Sequence, residues 1–234
     1  MLERIERSFH QANRFTADAS HELRTPLTIL KGHLERLIQN EPKTLETRQE
    51  EYVNLLDEVD RLQRLSSQLL FLARSDSGNF AIKRIPTEVF QKLQELLDDF
   101  RELYPENNFE LIGKPGPEYS IDWEIIQQGI VNLLINGVKY NNDKKSITID
   151  IAHTDSTLQI FVKNSGLPIP EEVAPDLFKR FYRGEKARER TLNSGGTGLG
   201  LSIAKECINA HGGELNYSGH ENGKNVFRIE IPKM

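Results

Sequence analysis

The sequence predicts an α+β protein in two parts: a long helical hairpin, then a segment in which short strands and helices alternate. An apolar ladder climbs the first 75 residues in steps of three and four, the spacing of one helix face. Strict apolar–polar alternation over 146–153 and 157–164 marks half-buried strands. Between these regions lies SDSGN, 75–79, a polar hinge containing glycine, where the composition changes. The chain has 234 residues, 37% apolar and 28% charged, which suits one large globular domain or two modest ones. A net charge of −5 gives no reason to expect nucleic acid or an anionic membrane as the main partner. The single cysteine, Cys207, excludes an internal disulfide and fits a reducing compartment. No run approaches the roughly 20 apolar residues of a membrane span, and no signal peptide is visible, so no membrane contact is expected from this fragment. The opening MLERIERSF is already in helical register, which suggests a longer helix cut short.

The first helix is expected over 2–38, roughly 50 Å at 1.5 Å per residue. Its ladder runs Ile5, Phe9, Ala12, Thr16, Ala19, Leu23, Leu27, Leu30, Leu34, Leu37. His21 lies two residues from both Ala19 and Leu23, so at about 100° per residue it points away from the seam toward water. Glu22 is beside it, and Thr25 is one turn on. Pro26 removes a backbone donor within the helix and should bend it. Taken alone, His21 could be a plain solvated histidine. QNEPKTLE, 39–46, reads as a turn in which Thr44 can cap a second helix over about 46–75. That helix carries Leu55, Val59, Leu62, Ser66 and Leu69, with Leu56, Leu65 and Leu72 widening the stripe. Two antiparallel helices with so wide an apolar face make a poor domain alone, and a symmetric dimer would convert them into a four-helix bundle. The alternative is a hairpin packed on the rest of its own chain.

Beyond the hinge, FAIKRI, 80–85, reads as a strand or linker, Thr87–Leu103 as an amphipathic helix, NFELIG as a strand and KPGPEYS as a turn-rich connection. Asp122 is the expected N-cap of the next helix. On that helix Asn132, Asn136, Lys139 and Tyr140 form one stripe at i, i+4, i+7, i+8. They are either the wet side of a surface helix or part of a nucleotide site. An Asn oxygen suits Mg²⁺, Lys139 can meet phosphate as a point charge, and Tyr140 can lie against a base. After the 146–164 hairpin comes NSGLPIPEE, then an irregular charged stretch to Gly195 that includes DLFKRFYRG, 176–184. Such a stretch is a plain surface loop or a functional one. SGGTGLGLSIAKECINAHGG, 194–213, starts glycine-rich and turns helical, an arrangement that lets backbone N–H groups cradle phosphate. Two closing strands, GELNYSG and KNVFRIEIP, put Phe227, Ile229 and Ile231 on one face.

HELRTP, 21–26, matches in full the His-Glu-x-x-Thr-Pro acceptor box of the sensor histidine kinases, and the chain resembles that family over nearly its whole length. The second half is similar to the ATP-binding domain shared by histidine kinases and the gyrase, mismatch-repair and heat-shock chaperone ATPases, the GHKL type. NLLINGVKYNN is its asparagine box, NSGLPIP its first glycine box, LFKRFYRG its phenylalanine-containing lid and GGTGLGLS its second glycine box, with Gly212-Gly213 as the last. The resemblance implies a mixed sheet backed by helices, an α/β sandwich, with ATP under the lid. It implies Asn136 as the Mg²⁺ ligand, supported by Asn132, Lys139 and Tyr140. Asn164 and Gly166 would meet the base, Arg180 and Arg183 of the lid the phosphates, and Gly196, Thr197, Gly198, Leu199 and Gly200 the phosphate cradle. One departure stands out: the family has Asp-x-Gly-x-Gly where this chain has Asn164, Ser165, Gly166, Leu167, Pro168. Asn164 keeps an acceptor oxygen, loses the charge and adds an NH₂ donor. Weaker ATP binding and looser rejection of GTP are therefore expected.

The expected division is 1–76 for dimerisation and histidine phosphotransfer, 77–85 as linker and 86–234 as the ATP-binding catalytic domain. The resemblance implies the cytoplasmic core of a membrane sensor acting as a homodimer. On that resemblance His21 would take the γ-phosphoryl group of ATP with Glu22 as its base or orienting carboxylate, and a response regulator receiver aspartate would take it next. Thr25 matches the position that holds water in the reverse, phosphatase reaction. A phosphatase-dominant regulator and a dimeric scaffold with a degenerate site are the two other classes left open.

Overall fold

The computed structural model describes residues 2–39, 44–77, 81–142, 144–154, 156–184 and 196–233. Asn40 and Pro42 of the expected turn, Gly78 and Asn79 of the hinge, Gly195, and the side chains of Ile5, Phe9 and Ala12 lie outside the described residues. The chain forms two compact units, 1–73 and 74–234.

The first unit is a pair of helices, α1 (Leu2–Gln39) and α2 (Leu45–Asp76, whose last residues group with the second unit). Helix α1 continues through Pro26, which is buried. Thr44 does cap α2: its Oγ1 accepts the Thr47 N–H at 3.2 Å, satisfying one of the helix's orphan donors. His33 of α1 and Glu51 of α2 meet at 3.0 Å, so the end of α1 runs beside the start of α2. Leu65 and Leu72, seven residues apart on one stripe, are buried. Leu27, Leu34, Leu56 and Val59 of the expected ladders are exposed, together with Ile38 and Val53.

The second unit is a two-layer sandwich. Its sheet holds β2 (Asn108–Ile112), β4 (Ser146–His153), β5 (Thr157–Ser165), β6 (Glu214–Glu221) and β7 (Lys224–Pro232) in the order β2-β4-β5-β7-β6. Strands β2 and β4 are parallel and the remaining pairs antiparallel, so the sheet is mixed. One face is apolar. Ile147 and Ile149 of β4, Leu158, Ile160 and Val162 of β5, and Phe227, Ile229 and Ile231 of β7 are all buried there. They join one core with Leu93 and Leu97 of α3 (Val89–Leu103), Ile126, Ile130 and Leu133 of α4 (Trp123–Tyr140), and Ala204 and Ile208 of α5 (Gly200–Asn209). Each fully buried Leu, Ile or Phe contributes about 1.5–3 kcal/mol, which is why the three helices stay on this face. The other face carries a polar ladder, with Lys163 paired to Asp150 and Gln159 bonded to Glu230 at 2.8 Å.

Three local details differ from expectation. Of FAIKRI, read as a strand or linker, 81–84 form no strand and Ile85 opens β1, Ile85–Thr87, so α3, expected from Thr87, starts at Val89. The turn-rich KPGPEYS ends in a short strand, β3 (Tyr119–Ile121), which pairs antiparallel with β1 in a separate ribbon. Asp122 occupies the N-cap of α4, but its side chain makes no cap bond. Its Oδ2 accepts the Lys83 N–H at 2.9 Å instead, fastening the incoming chain to the ribbon.

Candidate functional site

On the first unit, His21 is exposed and Glu22 half-buried. Thr25 follows one turn later, its Oγ1 3.5 Å from the His21 carbonyl. Pro26 has no N–H, so the Glu22 carbonyl lacks its helical donor. Among the described residues the His21 side chain makes no hydrogen bond, so its ring nitrogens remain open to a reactant.

On the second unit the sites expected from three separate segments converge at the start of α5. The space at the glycines measures how close these segments come. A Cβ on Gly200 would stand 3.1 Å from Asn132 Oδ1, and one on Gly196 3.0 Å from Lys139 Nζ. Helix α4 and the second glycine box are therefore in direct apposition. Gly198 has φ +73, and a Cβ there would meet the Phe181 backbone at 2.7 Å, so the lid root packs onto the glycine loop. Phe181 itself holds φ +60, a strained position for an aromatic residue. Leu199 is buried as the N-cap residue of α5 and supplies no side-chain cap. Thr197 Oγ1 accepts the Leu199 N–H at 3.4 Å, and the first turn of α5 is left with N–H groups able to meet an anion.

Charge and donor chemistry agree with that reading. Burial and the nearby Arg183 cation push the Lys139 pKa down. Two cations held close are relieved by a phosphate anion between them. Lys139 Nζ lies 5.4 Å from the centre of the Tyr140 ring, and burial raises the Tyr140 pKa. Asn132 spends its amide nitrogen on the Gln128 carbonyl at 2.8 Å, leaving its oxygen at Gly200. Asn136 is half-buried on the same stripe and makes no hydrogen bond among the described residues. Its amide oxygen is the hard donor that Mg²⁺ prefers. Asn164 is buried at the end of β5, where its Nδ2 donates to the Ser165 carbonyl at 3.2 Å. A Cβ on Gly166 would stand 2.9 Å from the Tyr140 carbonyl, so the first glycine box abuts the asparagine helix. Arg180 is bonded to Asp76, at 2.7 and 2.6 Å.

Residues 121–234 match the family described as histidine kinase-, DNA gyrase B- and HSP90-like ATPase, and residues 11–78 match the His kinase A phospho-acceptor domain. The chain belongs to the sensor histidine kinase family. It is 33% identical over 231 residues to the signal transduction histidine-protein kinase ArlS of Staphylococcus haemolyticus, covering 98% of this chain and 50% of that protein. The chain thus spans about half the length of the ArlS kinases it matches. Among solved structures, the Acinetobacter baumannii histidine kinase AdeS superposes with a TM-score of 0.75 at 25% identity, over 91% of this chain and 98% of that one. Histidine kinase ThkA, solved in complex with response regulator protein TrrA, shares the fold with a TM-score of 0.74 at 23% identity, over 98% of this chain and 64% of that one. No helix among the described residues is long and apolar enough to cross a membrane.

In this chain, sequence reasoning missed a second group that shapes the first glycine box. Asn225 of β7 is paired across the sheet with Asn164 and is buried. Its Nδ2 donates to the Leu167 carbonyl at 2.9 Å, and its Oδ1 accepts the Tyr217 hydroxyl at 2.9 Å. His220 Nε2 lies 3.2 Å from the Gly166 carbonyl. The available signal was positional: Asn164 and Asn225 both sit at strand registers whose other members are apolar.

Proposed function

We propose that this chain carries the kinase chemistry of its family: ATP held on the second unit phosphorylates His21, and the phosphoryl group passes on to an aspartate of a response regulator. The observation that carries this is the meeting of Asn132, Lys139, Gly196 and Gly200 at the side-chain-uncapped start of α5. A site that only decorated a surface helix has no reason to bring a cation, an amide oxygen and a glycine loop into van der Waals contact. Within it Asn164 and Gly166 meet the base, and Tyr140 lies beside them. Lys139, Arg183, Thr197, Gly198, Leu199 and the N–H groups of α5 hold the phosphates. Asn136 is the protein's ligand for Mg²⁺, which when bound neutralises charge on the phosphate oxygens. The glycines allow backbone N–H groups to approach anionic oxygens that a side chain would exclude.

His21 is the nucleophile. Its attacking nitrogen needs a free lone pair, so the ring is neutral, and Glu22 accepts the other N–H as charge develops on the imidazole. Thr25, one turn on, orients water for the reverse hydrolysis of the phosphorylated regulator. Residues 1–76 serve as dimerisation and phosphotransfer hairpin, 77–85 as linker and 86–234 as ATP-binding domain. Two-fold pairing of the hairpin and docking of a receiver domain beside His21 complete the assembly.

Incubation with labelled ATP, then acid and base treatment of the protein, tests this reading. Acid-labile, base-stable label is expected in the wild type and none in His21→Gln, which keeps its nucleotide affinity. Thr25→Ala keeps the label and loses hydrolysis of the phosphorylated regulator. Label that survives in His21→Gln places the acceptor elsewhere. A wild type that binds nucleotide without labelling favours the phosphatase-dominant class, and one that binds none favours the scaffold.

A further inference from the structure

Arg180 precedes the strained Phe181, and Phe181 rests on Gly198 of the glycine loop. The side chain of Arg180 is only 14% exposed. It makes two parallel bonds to Asp76, Nη1 to Oδ2 at 2.7 Å and Nη2 to Oδ1 at 2.6 Å, and lies 3.9 Å from Glu206 Oε1 of α5. Ser75 donates to the other oxygen of Glu206 at 2.9 Å. The bond to Asp76, more than Coulomb attraction, raises the Arg180 pKa further above its already high value. All four residues belong to the second unit.

We propose that Asp76 is a positioning residue for the nucleotide site, acting through Arg180 to fix the root of the lid against the glycine loop. The inference rests on the kinase reading above. A continuous set of contacts carries it: Asp76 to Arg180 by a fork of two charge-assisted bonds, Arg180 to Phe181 through one peptide, and Phe181 to Gly198 by backbone packing. Exposed ion pairs contribute little, but this one has planar two-bond geometry, a largely buried arginine side chain and a second carboxylate nearby. Lysine in place of Arg180 keeps the charge and loses the fork. Ser75 and Glu206 add the third leg, joining the end of α2 to the helix whose start forms the phosphate cradle. Arg180 therefore anchors the lid, and Arg183, three residues on, is the lid cation beside Lys139.

The test uses the whole chain. Amide hydrogen exchange over 177–184 reads the lid root without nucleotide, and calorimetry with Mg²⁺ and a non-hydrolysable ATP analogue reads the site. Asp76→Asn and Arg180→Lys should each speed exchange over 177–184 and weaken nucleotide binding about fivefold, the size of one such pair. The exchanged pair Asp76→Arg with Arg180→Asp should recover part of both losses, which a simple loss of stability does not. Exchange and affinity that stay at wild-type values in both single variants overturn the proposal. Faster exchange with unchanged affinity also overturns it, since the tie is then structural only. A wild type that binds no nucleotide overturns the functional reading, and this inference falls with it.

Discussion

Asn164 shows how one hydrogen bond changes what a substitution means. In sequence the amide looks free to turn its oxygen to adenine or its NH₂ to guanine. In the structure the NH₂ is already committed to the Ser165 carbonyl at 3.2 Å. Turning the amide over sets its oxygen against that carbonyl, two acceptors face to face, in a buried position. The oxygen is therefore the presented group, which on the proposed reading suits adenine's amino group. We expect the wild type to bind ATP at least tenfold more tightly than GTP, in contrast to the loose discrimination expected from sequence. Asn164→Asp gains a charge-assisted bond to adenine and loses the bond to Ser165, so ATP affinity should rise by no more than about fivefold. Calorimetric titration of both nucleotides against both proteins reads these numbers. Equal ATP and GTP constants in the wild type would show that the amide does rotate.

At the scale of elements, the joint between α4 and α5 depends on a histidine. His211 follows α5 and is fully buried. Its Nδ1 lies 3.0 Å from the Cys207 carbonyl, which can only accept, so Nδ1 carries the proton. Nε2 is then the acceptor for the Asp122 N–H at 3.1 Å, at the start of α4. Burial lowers the His211 pKa most, the Cys207 carbonyl opposes this, the Arg84 cation lowers it further and Asp122 raises it. With the folded value below the unfolded one, the unfolded chain binds more protons as pH falls. Stability is complete above the unfolded histidine value, about 6.5, and is lost as pH drops toward the folded value. Thermal unfolding at pH 7.5 and 5.5 should show a larger fall for the wild type than for His211→Asn, and equal falls would sink this assignment. Burial also pushes the neighbouring Cys207 thiol up to about 12, so it stays an inert packing group. What was legible follows from the range of the forces. Local periodicity marked α1, α2, α4, β4, β5 and β7, and the glycine spacing marked the phosphate cradle. Strand β3 was hidden because Pro115 and Pro117 break the run before it and three residues cannot show alternation. It exists because Tyr119–Ile121 finds β1 over 30 residues away. The Asp76–Arg180 fork joins residues 104 apart and left no local trace at all.

Over the whole molecule, the exposed apolar side chains of the hairpin support the proposed dimer. Leu27, Leu34 and Ile38 of α1 and Val53, Leu56 and Val59 of α2 are exposed in one chain, Leu56 to 62% and Ile38 to 82%. The His33–Glu51 contact sets the end of α1, with Leu34 and Ile38, beside the start of α2, with Val53 and Leu56. Fully covering a residue of this kind contributes about 1.5–3 kcal/mol, so six of them supply on the order of 10 kcal/mol before losses. A two-fold dimer covers the six from each copy, and association costs about 4–15 kcal/mol in lost freedom, so the gain is of the size a dimer needs. Two-fold symmetry doubles each contact and completes a four-helix bundle, which a hairpin alone does not provide. The chain should therefore sediment as a dimer at micromolar concentration. Leu56→Glu places two carboxylates in the covered face, one from each copy, and should weaken the dimer at least tenfold, since an unpaired buried charge costs far more than the lost leucine contact. Nucleotide affinity should be unchanged in that variant, because the second unit carries its own core of sheet and helices. A wild type that sediments as a folded monomer, or a Leu56→Glu dimer as tight as the wild type, would remove this face from the assembly and with it the bundle on which His21 is displayed.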